Sequence, residues 1–233
     1  IHLRTLRSSM DDDRAAFHHS ASGPGAAAFL DPPLDDRWVL ADNRFVTACL
    51  RRLGQKYPMF AAMPVTAPTC SNTTADGRMC GATCDPYGQH LELCAPGGGL
   101  IERHDDLVKC VSVLASRALD PRPRLEQVVP ELSQPVGGQI GQARLDVILH
   151  DGANRMLVDV VVVSPFAGGA SYRAACARRD GHSCRRAAVA KRRRYPSNDL
   201  VPFALETGGR LGADARGLLA RMAAASADPA RDI

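Results

Sequence analysis

The sequence predicts an α/β fold: a mixed β-sheet flanked by helices, preceded by a small cysteine-rich module and an N-terminal helical segment. Three observations lead there. Residues 143–150 and 155–163 are short apolar runs joined by Asp151-Gly152-Ala153-Asn154, and Asp-Gly between such runs marks a β-hairpin. Residues 174–194 read as a basic helix that Pro196 ends, because proline disfavours helical geometry just before itself. Residues 200–206 then read as a strand, so the order is helix, hairpin, helix, strand, helix.

The elements follow in order. Residues 1–37 mix charge, Gly and Pro and form a loose, partly helical lead-in. Over residues 40–56, Phe45, Val46, Cys49, Leu50 and Leu53 recur at helical spacing, with Asp42 as N-cap and Gly54 as stop. Residues 58–68 are a linker, 70–94 the Cys/His module, and Gly97-Gly98-Gly99 a hinge. Residues 100–118 form a second helix, with Leu100, Ile101, Leu107, Val108, Val111 and Leu114 on one broad face. Residues 121–141 are irregular, with one strand around 125–129. The hairpin, a turn at 164–169, the basic helix with a break near Gly181, the strand 200–206, an Ala/Leu-rich helix at 212–225 and a frayed tail complete the chain.

Composition narrows the class. A chain of 233 residues accommodates one medium domain and a small module. At 45% hydrophobic and 23% charged it is globular rather than disordered. No apolar run approaches the roughly 20 residues that cross a bilayer, so no membrane partner is expected. The first residue is Ile, and the chain reads as a piece of a longer product.

The hairpin carries the chemistry. A symmetric loop pairs Leu149 with Met156, Val147 with Val158, and Asp146 with Asp159. Opposed side chains lie about 4.5–5.5 Å apart at Cβ, and like charges placed so are destabilising. A divalent metal takes oxygen ligands and cancels that repulsion; without one, the pair reads as two solvated acids on an edge hairpin. Lys56, Lys109 and Lys191 are the only lysines. Lys191 lies in the basic helix, and Tyr195 shares its face if the helix lasts that far. Two carboxylates on neighbouring strands and a lysine suit phosphodiester hydrolysis. The acids bind Mg²⁺ or Mn²⁺, and the lysine orients the nucleophile or stabilises charge on the phosphate. Glu102, His104, Asp105 and Asp106 cluster at the start of the second helix, where the helix dipole already favours acids. His150 and His182 read as incidental.

Charge and cysteine usage add two partners. The net charge is +4, yet Arg173, Arg178, Arg179, Arg185, Arg186, Lys191, Arg192, Arg193 and Arg194 crowd one stretch against the single acid Asp180. Such a block is a footprint for phosphate backbones, and Tyr195 adds an aromatic at its end. Of the eight cysteines, Cys80-x3-Cys84-x5-His90-x3-Cys94 supplies two close ligand pairs across a tight Asp85-Pro86-Tyr87-Gly88 turn. That set suits tetrahedral Zn²⁺, which would supply the folding energy of a module too small for its own core. Cys70 can replace Cys84, giving Cys70, Cys80, His90 and Cys94, and the sequence does not decide between them.

Taken together, Cys80 to Cys94, Gly97-Gly98-Gly99, Arg103-His104, Arg144-Leu145-Asp146, Asp159 to Pro165, Ala190-Lys191 to Tyr195-Pro196, Val201-Pro202-Phe203 and Glu206-Thr207-Gly208-Gly209 resemble one family. It is the C-terminal region of non-LTR (LINE-like) retrotransposon polyproteins, where a zinc knuckle precedes a restriction-endonuclease-like domain of the PD-(D/E)xK type. The likeness runs from about residue 70 to residue 219. It implies a helical lead-in from an upstream reverse transcriptase over residues 1–69, a CCHC-type zinc knuckle over 70–96, a restriction-endonuclease-like domain over 97–222 and a tail over 223–233. It further implies a metal-dependent DNA endonuclease that nicks target DNA to prime reverse transcription. Asp146 and Asp159 correspond to the two acids and Lys191 to a lysine displaced onto the following helix. The implied partners are DNA, element RNA and the reverse transcriptase, and the implied setting is intracellular and nuclear. Three departures stand out: Leu145 where Pro is common, Val161 at the usual lysine position, and the altered cysteine spacing. The alternative expectation is a catalytically decayed nucleic-acid-binding module with a structural zinc; a weaker one is a zinc-dependent protein-interaction domain.

Overall fold

The computed structural model describes residues 10–31, 39–58, 68–136 and 139–227. The lead-in at 1–9 and 32–38, most of the linker at 59–67, and the tail from 228 onward lie outside the described residues. Along the chain come α1 (Asp12–Ala21), α2 (Asp42–Arg52), α3 (Gln89–Leu93), α4 (Gly99–Ala118), β1 (Arg124–Val128), β2 (Gln134–Val136), β3 (Gln139–Gly141), β4 (Arg144–Asp151), β5 (Asn154–Val163), α5 (Ala170–Arg178), α6 (His182–Arg194), β6 (Leu200–Glu206) and α7 (Ala213–Ser226). The class is α/β. The chain divides into two compact units, each assembled from separate stretches of sequence.

The first unit comprises Ile1–Glu102, Val163–Ser183 and Glu206–Leu211. Its helix α1 begins at a sequence-coded cap, where the Asp11 carboxylate accepts the Arg14 backbone N–H at 2.8 Å. Small residues Ala15 and Ala16 on α1 pack against Cys176 and Ala177 on α5. Phe17 stacks on Phe166 with ring centroids 6.4 Å apart. A polar knot completes the unit: Arg210 donates to the His19 carbonyl and to Asp180, and His19 meets the same Asp180 carboxylate. Helix α2 starts one residue earlier than a capping role for Asp42 requires. Ala41 occupies the cap with no side-chain bond, and Asp42 is the first helical residue, placed to favour the helix dipole. Gly54 does follow the helix in a left-handed conformation, φ 61°.

The second unit comprises Arg103–Val162, Cys184–Leu205 and Gly212–Ile233. Its four-stranded sheet has the order β1-β4-β5-β6. Strand β4 is antiparallel to both β1 and β5. The bonds Leu157 N–H to Asp199 O and Thr207 N–H to Val163 O advance together along both chains, so β5 and β6 run parallel and the sheet is mixed. The α5–α6 segment is the crossover that such a parallel step requires. Gly181, at φ 63°, breaks the basic segment into α5 and α6.

The β4–β5 hairpin has the register read from the sequence. Val147 pairs with Val158, Leu149 with Met156, and Asp151 with Asn154. Gly152 at φ 59° takes the first central position that a type II′ turn reserves for glycine. Side chains on both faces are buried: Leu145, Leu157, Tyr195 and Leu200 fall in one core cluster, while Val147, Leu149, Val158 and Val160 are at most 1% exposed. A strand covered on both faces reads as a near-continuous apolar run, which is why the hairpin was legible. The short β2–β3 hairpin was not, because its Gln, Pro and Gly residues give no alternation.

Candidate active site and metal centre

In the second unit, the hairpin ladder stops at Val147–Val158, one step short of the two acids. At that point the Asp146 Oδ2 accepts the Val160 N–H at 2.6 Å, so a carboxylate replaces a backbone acceptor. The β1–β4 ladder also skips this level. Its pairs run Leu125–Val147 then Gln127–Leu145, and the residue between, Glu126, has φ 54°. A non-glycine residue there is strained, and such strain concentrates at functional positions.

Asp146 and Asp159 are both buried. The Lys191 ammonium on α6 donates to Asp159 Oδ1 at 2.8 Å. Asp159 Oδ2 is buried and accepts no hydrogen bond among the described residues. On α4, His104 Nε2 lies 3.4 Å from Asp146 Oδ2, and its Nδ1 lies 3.1 Å from Asp105. Burial is the main cause that pushes the Asp146 carboxyl up to about 6; the Asp159 charge adds to it, and the Val160 N–H, His104 and Lys191 oppose it. Burial alone would push the His104 imidazole down, but the Asp105 and Asp146 carboxylates outweigh it and the net shift is upward.

Asp146, Asp159 and Lys191 are therefore brought together as the sequence suggested. An orphaned, buried carboxylate oxygen beside a second buried carboxylate is a donor set suited to a hard divalent cation. His104 is the residue undervalued from the sequence. Its signal was faint: a histidine among acids at a helix start, where acids need no special reason.

In the first unit, Cys70, Cys80, His90 and Cys94 hold four ligand atoms within 4.8 Å of one another. Backbone pairing explains the set. The Cys70 N–H bonds the Ala82 carbonyl and the Cys80 N–H bonds the Asn72 carbonyl, so an antiparallel loop places Cys70 beside Cys80. His90 and Cys94 come from α3 and its C-cap. Asp85 shapes the entry to that helix, accepting the Tyr87 and His90 N–H groups. Cys70 and Cys94 sulfurs are 3.6 Å apart, and Cys80 is 3.5 Å from His90 Nε2. Four ligands about 2.3 Å from a tetrahedral zinc lie about 3.8 Å from one another, so this Cys3His cluster could hold a zinc ion. The set Cys80, Cys84, His90 and Cys94 is corrected: Cys84 is not among the four, and Cys70 stands in its place. Cys84 is buried against Cys70 and Cys94, its N–H bonds the Pro68 carbonyl, and burial pushes its thiol up. Cys70 goes the other way, lowered to about 7 by the Asn72 backbone N–H and by His90.

No family model, curated protein or solved structure matches this chain.

The basic residues separate into two groups. Arg178 and Arg179 end α5 in the first unit. Arg185, Arg186, Arg192, Arg193 and Arg194 lie on α6 in the second, all exposed. Arg192 pairs with Asp214 at 2.6 Å. Tyr195 departs from expectation as a contact for nucleic acid. It is 5% exposed and belongs to the core, with the Arg194 guanidinium 5.0 Å from its ring centre. The helix ends at Arg194, and the chain turns the tyrosine inward just before Pro196. A cleft of about 580 Å³ lies in the first unit among Met10, Phe17, Arg51, Leu53 and Tyr87, and none of the paired acids, ligating cysteines or basic-helix residues lines it. Among the described residues no helix is long and apolar enough to cross a membrane.

Proposed function

We propose that the chain is a divalent-metal-dependent DNA endonuclease with a restriction-endonuclease-like domain and a structural zinc, of the kind found at the C-terminus of non-LTR retrotransposon polyproteins. The observation that supports this best is the pair of buried acids with Lys191 on one of them and a free oxygen, Asp159 Oδ2, left over. Asp146 and Asp159 would hold Mg²⁺ or Mn²⁺. That cation supplies positive charge to the phosphate and lowers the pKa of nearby water.

The chain's own residues do the rest. Lys191 presents three N–H donors beside Asp159, enough to hold its carboxylate and still orient a water or steady a phosphate oxygen. The α6 arginines grip the phosphate backbone, which fixes register without reading bases. In the hydrolysis, a bond forms between water oxygen and phosphorus and the P–O3′ bond breaks. The departing 3′ oxygen takes a proton, leaving a 3′-hydroxyl fit for priming and a 5′-phosphate. Zinc at Cys70, Cys80, His90 and Cys94 would hold its module folded. DNA, element RNA and an upstream reverse transcriptase are the proposed partners, in the nucleus.

The test is nicking of supercoiled plasmid in Mg²⁺ or Mn²⁺. The unmodified chain nicks, and Asp146→Ala and Asp159→Ala do not while still binding DNA. Absence of nicking by the unmodified chain, with DNA binding retained, would overturn the enzyme reading and leave a nucleic-acid-binding module.

A further inference from the structure

We propose that His104 is a positioning residue that holds the Asp146 carboxylate ready for a divalent cation. The inference deepens the nuclease reading and rests on it, but its primary readout is cation binding rather than cleavage.

The geometry at Asp146 is one-sided. Val160 N–H reaches Oδ2 at 2.6 Å, and His104 Nε2 lies 3.4 Å from the same oxygen. Both contacts use Oδ2, which leaves Oδ1 without a hydrogen bond or ion pair among the described residues. The far edge of the ring is fixed as well, with Nδ1 3.1 Å from Asp105 Oδ1. An imidazole bracketed by two carboxylates has little freedom to turn away.

Asp159 has the matching arrangement. Lys191 takes Oδ1 at 2.8 Å, and Oδ2 has no partner among the described residues. Each acid thus has one oxygen beside a basic side chain from a helix and one oxygen left over. The helix is α4 for Asp146 and α6 for Asp159. Histidine–carboxylate contacts around a metal fix the orientation of the ligating oxygens, and removing them lowers metal affinity or activity by about 10- to 100-fold. His104 acts through Asp146, because its Nε2 faces that carboxylate.

His150 is the internal control. It lies 3.4 Å from Asp120, an ion-pair distance equal to that of His104, but Asp120 also accepts the His150 backbone N–H. That pair is a local link involving neither acid of the site.

The experiment measures Mn²⁺ binding to the zinc-loaded full chain by electron paramagnetic resonance. It compares the unmodified protein with His104→Ala, His104→Gln and His150→Ala, and uses Asp146→Asn to identify the signal. Thermal melting confirms that each variant is folded. His104→Ala should weaken Asp146-dependent Mn²⁺ binding at least about tenfold. His104→Gln, which keeps a donor, should recover most of it, and His150→Ala should change nothing. In plasmid nicking, the Mn²⁺ half-saturation should rise for His104→Ala while kcat at saturating Mn²⁺ stays near the unmodified value. Unchanged Mn²⁺ affinity in His104→Ala would overturn the proposal. So would normal affinity with lost kcat, which would make the ring a catalytic residue, and so would no Asp146-dependent Mn²⁺ binding in the unmodified chain. Asp146-dependent binding that follows the predicted order without any nicking would sink the nuclease reading and support the positioning role of His104.

Discussion

The Cys3His cluster and the paired acids are both candidate metal sites, but they relate to their surroundings in opposite ways. The cysteines and His90 sit on a loop paired by isolated bridges and on a five-residue helix that is tied down through Glu92, which meets Arg51 and Ser164. The acids sit on the inner strands of a sheet whose neighbouring side chains are fully buried. In the first place a metal would make the fold. In the second, the fold already exists and forces two carboxylates together, so a metal would relieve a conflict the fold creates. Soft ligands suit the first role and hard oxygens the second.

The largest effect expected is at the Cys3His cluster. Cys80→Ser should lose zinc and unfold the module, since apparent zinc-binding energies in such modules reach about 10–16 kcal/mol. Cys84→Ser should keep one zinc per chain and lose only about 1–3 kcal/mol, the cost of a buried hydroxyl without a sure partner. Zinc content and melting temperature, measured together, separate the two. Zinc lost on Cys84→Ser and kept on Cys70→Ser would reverse the ligand assignment.

A smaller effect sharpens the other side of the comparison. The folded-state pKa of Asp146, about 6, lies above its ordinary value of 3.8. Its contribution to stability is therefore fully present below pH about 4 and lost as pH rises through about 6. Metal-free protein should lose this increment across that window, and Asp146→Asn should flatten the dependence. Mg²⁺ competes with the proton, so Mg²⁺ should raise the melting temperature more at pH 7.5 than at pH 5. Equal Mg²⁺ stabilisation at both pH values would mean that Asp146 is not a ligand.

The smallest effect concerns the DNA surface. Arg193 is exposed on α6, and Arg193→Ala should weaken DNA binding about equally for all sequences. The slope of log affinity against log salt should fall in magnitude by about 1, as expected for one lost phosphate contact. A slope that does not move would take Arg193 out of the interface.

What the sequence made legible follows the range of the signals. The β4–β5 register came from a local turn and an uninterrupted apolar pattern, so its Val147–Val158 pair could be read residue by residue. The β6 strand and the break at Gly181 were equally local. The choice of Cys70 over Cys84 was not, because it depends on which backbone groups pair across a ten-residue span. Lys191 was legible as one of only three lysines and by its place in the basic helix, but nothing in the spacing from Asp159 fixed its contact with that carboxylate. His104 was named in the acidic cluster but undervalued, because its partner, Asp146, lies 42 residues away in sequence, in another element. Tyr195 was misread because a run of exposed basic residues ends one position before the chain turns inward.

The most direct test of the two-metal account is one preparation read two ways: zinc-loaded protein with and without added Mg²⁺, followed by amide NMR for the fold and by plasmid nicking for activity. The account predicts a dispersed spectrum in both conditions and nicking only when Mg²⁺ is present. Nicking by the zinc-loaded protein without Mg²⁺, or a fold that appears only when Mg²⁺ is added, would contradict it.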